Sequence, residues 1–450
     1  MTLVPNELRP ADHMIRRVPQ CNALHRTAAH GRHDRRFVLS VLALTHATLL
    51  DCTGADPADD MTVVSDGERI VDITPSSKPL PASVTEVIDC AGRTVMPGLM
   101  DAHVHIGAVD VNILEQHRNY QTSHAALKMG AILTRTLSQG YTTVRDAGGC
   151  DAGFRDAIDQ GVLQGPRLLV SNAPISMTGG HADFRRPTER GDSMACCSQV
   201  GMNALIADGP DEIRKAVREN LRTGANQIKV HASGGAMSPA DELDTVQYTV
   251  EEMRTAVITA EAAGTYVLAH AYSSSAVRNA VAAGVRSIEH GNLIDEATAA
   301  LLAEAGTYLV PTLSTYELLY RQGAEHGVPA ANIEKIRLAH EAGLRALEYA
   351  YRAGVRIASG SDLLGPQFEY KHRELELKAE VMSAMDVLVA TTRTNAELFG
   401  LADDLGTVEV GKLADLIVVD GRPWEDVGVF AKPGAIGSVV LGGKVMLRGN

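Results

Sequence analysis

Eight short apolar segments, separated by stretches with helical periodicity, run through the middle of this 450-residue chain. Strands that alternate with helices favour a parallel sheet, because each helix returns the chain to the start of the next strand. Eight is the number of strands in a TIM barrel, so we predict an α/β fold built on a (β/α)8 barrel. The predicted strands are 95–101, 142–146, 167–171, 227–231, 266–270, 287–290, 308–312 and 356–361.

The sequence on both sides of this region has a different texture. Short β-branched stretches broken by Gly, Pro and Asp turns occupy residues 37–95, and the same texture returns over 401–450. This pattern is typical of short strands joined by turns. We predict that the two pieces form one composite β-sandwich module and that residues 96–400 form the barrel.

Residues 1–36 contain seven Arg, three acidic residues and four His without apolar periodicity, which predicts a flexible extension that is dispensable for function. A signal peptide is the alternative, because the apolar run FVLSVLAL follows. No A-x-A-like cleavage site comes after that run, and it is too short to span a bilayer. Six cysteines without CxxC spacing favour reduced thiols, and we predict a cytoplasmic protein without a membrane partner.

The charge balance limits the possible partners. A formal net charge of -13 argues against nucleic acid, which requires clustered Lys and Arg to neutralise phosphates. We therefore expect no nucleic-acid partner, and we expect the chain to form a homo-oligomer.

Residues that can bind a metal stand at or just after the carboxyl ends of the predicted strands. His103 and His105 flank one residue, so strand alternation turns both imidazoles to the same side of the chain. The carboxyl ends of barrel strands meet at one mouth, where TIM barrels place their sites. Nitrogen and oxygen ligands of this kind suit zinc or a similar divalent ion. The residues at the ends of the fourth, fifth, sixth and eighth strands are Lys229, His270, His290 and Asp362.

Each of these residues has a simpler structural explanation when taken alone. An HxH pair can be two polar strand residues, a strand lysine can extend its stem along an apolar surface, and Asp362 can cap the next helix. Six such positions on five strands, all facing one barrel mouth, favour the metal site.

Several segments carry a family resemblance in their order along the chain. They are VMPGLMDAHVH, QIKVHASGG, LAHAYS, SIEHGN, ASGSD and a closing stretch that includes GKLADLIVVD. They resemble the amidohydrolase superfamily, in particular its prolidase-like and imidazolonepropionase-like branch, over about residues 40–450. The resemblance implies two divalent metal ions, zinc with manganese or cobalt as alternatives. It implies that the ligands of the first ion are His103, His105 and Asp362, that those of the second are His270 and His290, and that the bridge is a carbamate on Lys229.

The implied chemistry is consistent with these residue types. A lysine ammonium cannot bind a metal, whereas its carbamate with carbon dioxide offers two anionic oxygens. The resemblance implies a hydroxide that bridges the two ions as the nucleophile, because metal coordination lowers the pKa of water to about 7. It also implies that Asp362 takes up the proton and passes it to the departing nitrogen.

Further residues are weaker candidates for substrate contacts. His181 ends a Gly-Gly-His segment, and the related branch has a similar segment that helps to bind or polarise the substrate carbonyl; the alternative is that His181 only orders its loop. Tyr272 either faces the cavity or packs beneath a loop, and His231 shares a strand face with the predicted lysine ligand. Arg185 and Arg186 are candidates for holding a substrate carboxylate. The sequence GGAMS predicts a flexible loop over the site.

We predict a metal-dependent hydrolase that cleaves the amide C–N bond of a dipeptide or an N-acyl amino acid. The alternative is hydrolysis of a xenobiotic amide, phenylurea or (thio)carbamate. Hydrolytic deamination of a ring is less favoured, because Lys229 with both later histidines fits a two-metal amidase better than a one-metal deaminase. A non-catalytic metal-binding scaffold would lack the proton carrier, and Asp362 is present.

Overall fold

The computed structural model describes residues 40–186, 188–189, 201–238 and 241–448. The predicted extension over residues 1–36 lies outside these ranges. The strands are β1 (Val41–Leu49), β2 (Ala58–Asp66), β3 (Arg69–Pro75), β4 (Glu86–Asp89), β5 (Thr94–Pro97), β6 (Leu99–Val104), β7 (Tyr141–Asp146), β8 (Arg167–Val170), β9 (Ile175–Ser176), β10 (Leu205–Ile206), β11 (Ile228–His231), β12 (Val267–Ser273), β13 (Ser287–Leu293), β14 (Tyr308–Val310), β15 (Leu416–Val419), β16 (Ile436–Leu441) and β17 (Lys444–Arg448). The α-helices are α1 (Ile113–Asn119), α2 (Thr122–Ser138), α3 (Ala152–Asp159), α4 (Gly209–Arg222), α5 (Val250–Ala262), α6 (Ser274–Ala283), α7 (Glu296–Ala305), α8 (Leu313–Gln322), α9 (Ala330–Arg352), α10 (Arg373–Ala379), α11 (Ala384–Ala390) and α12 (Arg393–Phe399).

The first five strands and the last three form one eight-stranded sheet. Strand β5 joins the two pieces, because it pairs in parallel with β1 and antiparallel with β15. In the second pairing Pro97 lies opposite Leu416, and Thr94 lies opposite Val419. The two ends of the chain therefore share a β-sheet module, as predicted, while its packing as a sandwich stays a prediction.

The middle of the chain contains two parallel sheets. Strands β6, β7 and β8 form one, and the other has the order β10-β9-β11-β12-β13-β14. Helices α5, α6 and α7 connect successive strands from β11 to β14. The predicted α/β architecture is thus present.

The last predicted barrel strand, 356–361, is more irregular than its neighbours. It makes one isolated parallel bridge, between Ile357 and Leu309 of β14. The Ala358 amide donates to the Leu309 carbonyl at 2.9 Å, and the Ala102 amide of β6 donates to the Ser359 carbonyl at 2.7 Å. The segment therefore lies between β14 and β6 and places the residues after it beside the end of β6.

The predicted strand over residues 95–101 is wrong as a single element. Its first part ends at Pro97 in the β-sheet module, and β6 begins at Leu99 in the parallel sheet. A Cβ atom on Gly98 would approach Oγ1 of Thr142 to 2.1 Å. A residue without a side chain is therefore needed where the chain passes from one sheet to the other.

Side-chain caps begin the helices α5, α6 and α7, which follow strands β11, β12 and β13 along the chain. Ser273 ends β12 and caps α6 by accepting a hydrogen bond from the Ala276 amide, and Asp295 caps α7 in the same way. Thr249 and Glu252 form a reciprocal capping box at the start of α5. Each cap contributes about 1 kcal/mol and holds the strand end against a helix. No helix within the described ranges combines the length and apolar character that crossing a membrane requires.

Candidate metal centre

His103 and His105 bring two imidazole nitrogens together at the end of β6. Their Nε2 atoms are 3.3 Å apart. Nδ1 of His103 lies 2.7 Å from Oε2 of Glu289, and Nδ1 of His105 lies 2.7 Å from the carbonyl oxygen of Gly148. Each of these oxygens accepts a hydrogen bond from Nδ1–H, so both Nε2 atoms keep lone pairs that face each other. This separation matches two nitrogens that each lie about 2.1 Å from one zinc ion.

Asp362 completes this group. Its Oδ1 lies 3.6 Å from Nε2 of His103 and 3.6 Å from Nε2 of His105. Within the described part of the chain, possible ligand atoms of these three residues lie within 4.8 Å of one another. The Asp362 amide donates to the His103 carbonyl at 2.8 Å, so the backbone holds the carboxylate beside the two imidazoles.

His270 and His290 lie on neighbouring strands, with ring centroids 4.6 Å apart. Nε2 of His270 lies 3.0 Å from the Gly234 carbonyl, so this nitrogen carries the proton and Nδ1 is left as the ligand atom. Nδ1 of His290 lies 2.8 Å from Oγ1 of Thr312. Each of the four predicted histidine ligands therefore has one nitrogen engaged by the protein, as is usual for metal-binding imidazoles.

Burial keeps these imidazoles neutral, which is the form that binds a metal. It lowers the pKa of His105 to about 3, and it lowers the pKa values of His103, His270 and His290 well below their ordinary range. The same burial raises the pKa of Asp362 to about 8, although the charge of Lys229 opposes the shift.

Lys229 lies on β11 with a relative exposure of 1%. Burial lowers the pKa of its amino group to about 8, while the carboxylates of Glu289 and Asp362 act in the opposite direction. Lys229 lines the same cavity as His105, His270, His290 and Asp362. The site therefore contains a buried amine that can be neutral near physiological pH.

The backbone is strained at three residues of this site. His290, Thr312 and Asp362 have φ angles of 75°, 48° and 53°, in the left-handed region that non-glycine residues avoid. Such positions cost about 1–3 kcal/mol each and cluster at functional sites. The strain is consistent with a site in which ligand placement takes precedence over backbone preference.

Sequence analysis missed the carboxylate that orients His103. Glu289 is fully buried and accepts two hydrogen bonds from Nη2 of Arg145, at 2.9 and 3.1 Å. Arg145 also donates to the Ala102 carbonyl at 2.6 Å. A signal was present, because opposite charges inside two apolar strands must pair or remain solvated.

Three of the weaker candidates line the same cavity as the predicted metal ligands. The ring of His181 stacks on that of His270 with centroids 4.2 Å apart, and its centroid is 5.1 Å from that of His231. Nδ1 of His181 is buried without a hydrogen-bond partner among the described residues. The hydroxyl of Tyr272 lies 2.6 Å from that of Tyr316. The apolar lining residues are Ile113, Pro174, Ala182, Phe184, Met202, Ala236, Met237, Leu319 and Leu364.

Arg185 and Arg186 are not among the described residues that line the cavity. Nε of Arg185 donates to Asp183 at 2.6 Å, and Nη2 of Arg186 donates to Glu115 at 2.9 Å. Lys229 is the one lysine or arginine in the described lining. The structure therefore brings the predicted metal ligands together but not the two predicted carboxylate contacts.

The segment after His231, predicted as a flexible loop, is anchored by hydrogen bonds. The Gly234 amide donates to the Thr245 carbonyl at 2.9 Å, and Asn332 and Lys335 of α9 donate to carbonyls of the segment. The sequence pattern around this segment did not indicate these hydrogen bonds, because the donors Asn332 and Lys335 lie on a helix about 100 residues further along the chain.

Residues 94–446 match the sequence model of the amidohydrolase family. The ochratoxinase of Aspergillus niger is 32% identical over 426 residues, which are 90% of this chain and 86% of that protein. A crystal structure of a prolidase with N-methylphosphonate-L-proline has a TM-score of 0.87 and 41% identity, covering 91% of this chain and 100% of that one. A Xaa-Pro dipeptidase with methionine bound in its active site has a TM-score of 0.82 and 30% identity, with coverage of 91% and 100%.

Proposed function

This chain belongs to the amidohydrolase family, and from this premise we propose that it hydrolyses the amide C–N bond of a small molecule with two divalent metal ions. Hydrolase chemistry follows from the family. The observation that supports the metal centre best is the pair of Nε2 lone pairs 3.3 Å apart, each on a ring whose Nδ1 is already engaged. Two lone pairs at that distance repel each other unless a cation lies between them.

The donor set fits two ions, with zinc as the first choice and manganese or cobalt as alternatives. His103, His105 and Asp362 would hold the first ion, and His270 and His290 the second. A carbamate on Lys229 would bridge them, formed when the neutral amine attacks carbon dioxide and releases one proton. When bound, the ions would lower the pKa of water to about 7 and polarise the scissile carbonyl.

The side chains of the protein supply proton transfer and orientation. The carboxylate of Asp362 takes a proton from the attacking water and gives it to the departing nitrogen, which would otherwise leave as an unstable amide anion. His181 lines the cavity with a buried Nδ1 that has no described partner, which suits a contact to the substrate carbonyl. His231 and Tyr272 line the same cavity and are proposed to contact the substrate.

Removing the metal is expected to abolish hydrolysis. Dialysis against a chelator should yield protein without activity, and added zinc, manganese or cobalt should restore it at close to two ions per chain. Elemental analysis and activity, measured on the same samples, check this expectation. Turnover that persists in metal-free protein would refute the proposed function.

We also propose that the two parallel sheets close into a (β/α)8 barrel that extends to about residue 400. Because β5 ends at Pro97 in the β-sheet module, the barrel would begin after Pro97 and not at residue 96. Backbone hydrogen bonds support closure at the two places where the parallel sheets meet, between β8 and β11 and between β14 and β6. The Asn226 amide before β11 donates to the Val170 carbonyl of β8 at 2.7 Å. At the other gap, segment 356–361 lies between β14 and β6. A closed barrel brings the strand ends to one mouth, where the proposed ligands lie.

A dipeptide or N-acyl amino acid is the first choice of substrate. The prolidase structure holds a phosphonate of L-proline, and the dipeptidase structure holds methionine, both of which carry an amino-acid carboxylate. The second choice is a neutral amide, phenylurea or (thio)carbamate. It is favoured by the apolar lining of the cavity and by the carboxylate partners of Arg185 and Arg186.

Matched substrates distinguish the two choices. If the substrate carboxylate is recognised, masking it as a methyl ester or amide should remove about 1.5–3 kcal/mol and lower kcat/KM by roughly 10- to 100-fold. An Arg186→Met variant measured on the same pair would show whether that arginine contributes, since its effect should then appear only with the free carboxylate. Turnover of neutral anilides and ureas, with none of the carboxylate series, would contradict the first choice.

A further inference from the structure

Helix α9 directs a buried lysine toward the segment that follows β11. Lys335 has a relative exposure of 9%, and its Nζ donates to the carbonyls of Gly235 at 3.0 Å, Ser238 at 2.8 Å and Asp241 at 2.9 Å. Three acceptors use all three N–H bonds of an ammonium group. The ammonium therefore acts as a fixed cation around which the backbone is folded.

A second residue of α9 reinforces this contact one turn earlier. Nδ2 of the buried Asn332 donates to the Ala236 carbonyl at 2.8 Å and to the Ser238 carbonyl at 3.0 Å. Residues 234–238, which we call the anchored segment, thus have three carbonyls tied to one helix. Its conformation depends on α9 as well as on the strand that precedes it.

The anchored segment contacts two histidines of the proposed active site. The carbonyl of Gly234 accepts the hydrogen bond from Nε2 of His270, which selects Nδ1 as the ligand atom. A Cβ atom on Gly235 would approach the ring of His181 to 2.1 Å, so this backbone packs directly on that ring. A displacement of the segment would change the orientation of both imidazoles.

A second chain of hydrogen bonds runs from the anchored segment through Asp241 to His181. Asp241 accepts hydrogen bonds from the Gly235 amide at 3.3 Å and from the side-chain amide of Gln247. Oε1 of Gln247 accepts the backbone amide of His181 at 3.0 Å. The Lys335 ammonium binds the Gly235 carbonyl and the Asp241 carboxylate binds the Gly235 amide, so both groups hold the anchored segment.

We propose that Lys335 is a positioning residue for the second metal ion: through the anchored segment it fixes the tautomer and orientation of His270 and the place of His181. The inference rests on the proposed function, because it assumes that His270 is a ligand. It predicts that removing the ammonium weakens binding of the second ion. Binding of the first ion should be largely unaffected, because its ligands lie at the end of β6 and after segment 356–361.

The test is Lys335→Ala, which leaves space for a small cation, compared with Arg337→Ala on the same helix. Arg337 pairs with Glu334 and Glu341 on the helix surface and serves as the matched control. Metal binding to metal-free protein is measured by calorimetry, and amide exchange of residues 234–238 is measured on the same metal-free samples. Lys335→Ala should bind the second ion about 10- to 100-fold more weakly, with faster exchange in the segment. Methylammonium should restore both, and Arg337→Ala should match the wild type.

Unchanged affinity for the second ion in folded Lys335→Ala would overturn the proposal. If the wild type bound no metal, the proposed function would fail, and unchanged exchange in the variant would then overturn the positioning role as well. If Lys335→Ala does not fold, Asn332→Leu serves as the second variant. It removes the two hydrogen bonds from Asn332 to the anchored segment and should also weaken binding of the second ion. A loss of affinity equal for both ions would indicate a general structural effect and would contradict the inference.

Discussion

Replacing Asp362 with asparagine is expected to lower kcat by roughly 10³-fold or more, because the amide cannot take up a proton and general acid–base catalysis contributes about 10²–10⁴-fold. The fold should change little. The backbone bond from the Asp362 amide to His103 does not depend on the side chain, and asparagine retains an oxygen that can ligate. The measurement is steady-state kinetics together with metal content, so that loss of rate can be separated from loss of metal.

The pH profile gives an independent check on Asp362. Its carboxylate must be ionised to accept a proton, so activity should fall as the pH drops through the pKa of this group. Burial raises that pKa to about 8 in the protein without metal, and bound cations would lower it by stabilising the carboxylate. Asp295→Asn, which alters an exposed helix cap, serves as the control and should leave kcat and the profile unchanged. Near-native turnover by Asp362→Asn would exclude it as the proton carrier.

Replacing Lys229 with alanine is expected to lower both metal occupancy and kcat, the latter by about 10²-fold or more, because the proposed carbamate bridge between the two ions would be lost. The side chain is buried among His105, His270, His290 and Asp362, so no other described lysine can substitute for it. Lys215→Ala, an exposed change on α4, provides the control. Acetate or propionate should partly restore occupancy if the missing group is a carboxylate.

Carbon dioxide provides a test of the same bridge in the unmodified protein. Only the neutral amine reacts with carbon dioxide, and burial lowers the Lys229 pKa to about 8. Reloading of metal-free protein should therefore be slow in carbon dioxide-depleted buffer, faster with bicarbonate, and faster as the pH rises toward 8. Full reloading without carbon dioxide at the same rate, together with full occupancy in Lys229→Ala, would contradict the carbamate.

Residues at strand ends were predictable from sequence because strand alternation and the β/α rhythm are local properties. His103 and His105 share one side as a result of their spacing, and Lys229 and His231 line one cavity for the same reason. The likeness of the two chain ends, both rich in short strands, also predicted correctly that they share a sheet. The split at Gly98 was missed, because only the approach of Thr142 shows where one sheet ends.

The partners that orient the predicted ligands were decided by tertiary structure. Glu289 meets His103 across 186 positions of sequence, and Gly234 meets His270 across 36. Lys335 reaches the anchored segment from a helix about 100 residues away. Arg185, one of the two arginines that the sequence suggested as substrate contacts, donates a hydrogen bond to Asp183. By itself, the sequence determined which residue types stand at the strand ends, because backbone periodicity is local. Which nitrogen of each imidazole is free, and which charges are already paired, depends on contacts that exist only once the distant strands and helices have packed together.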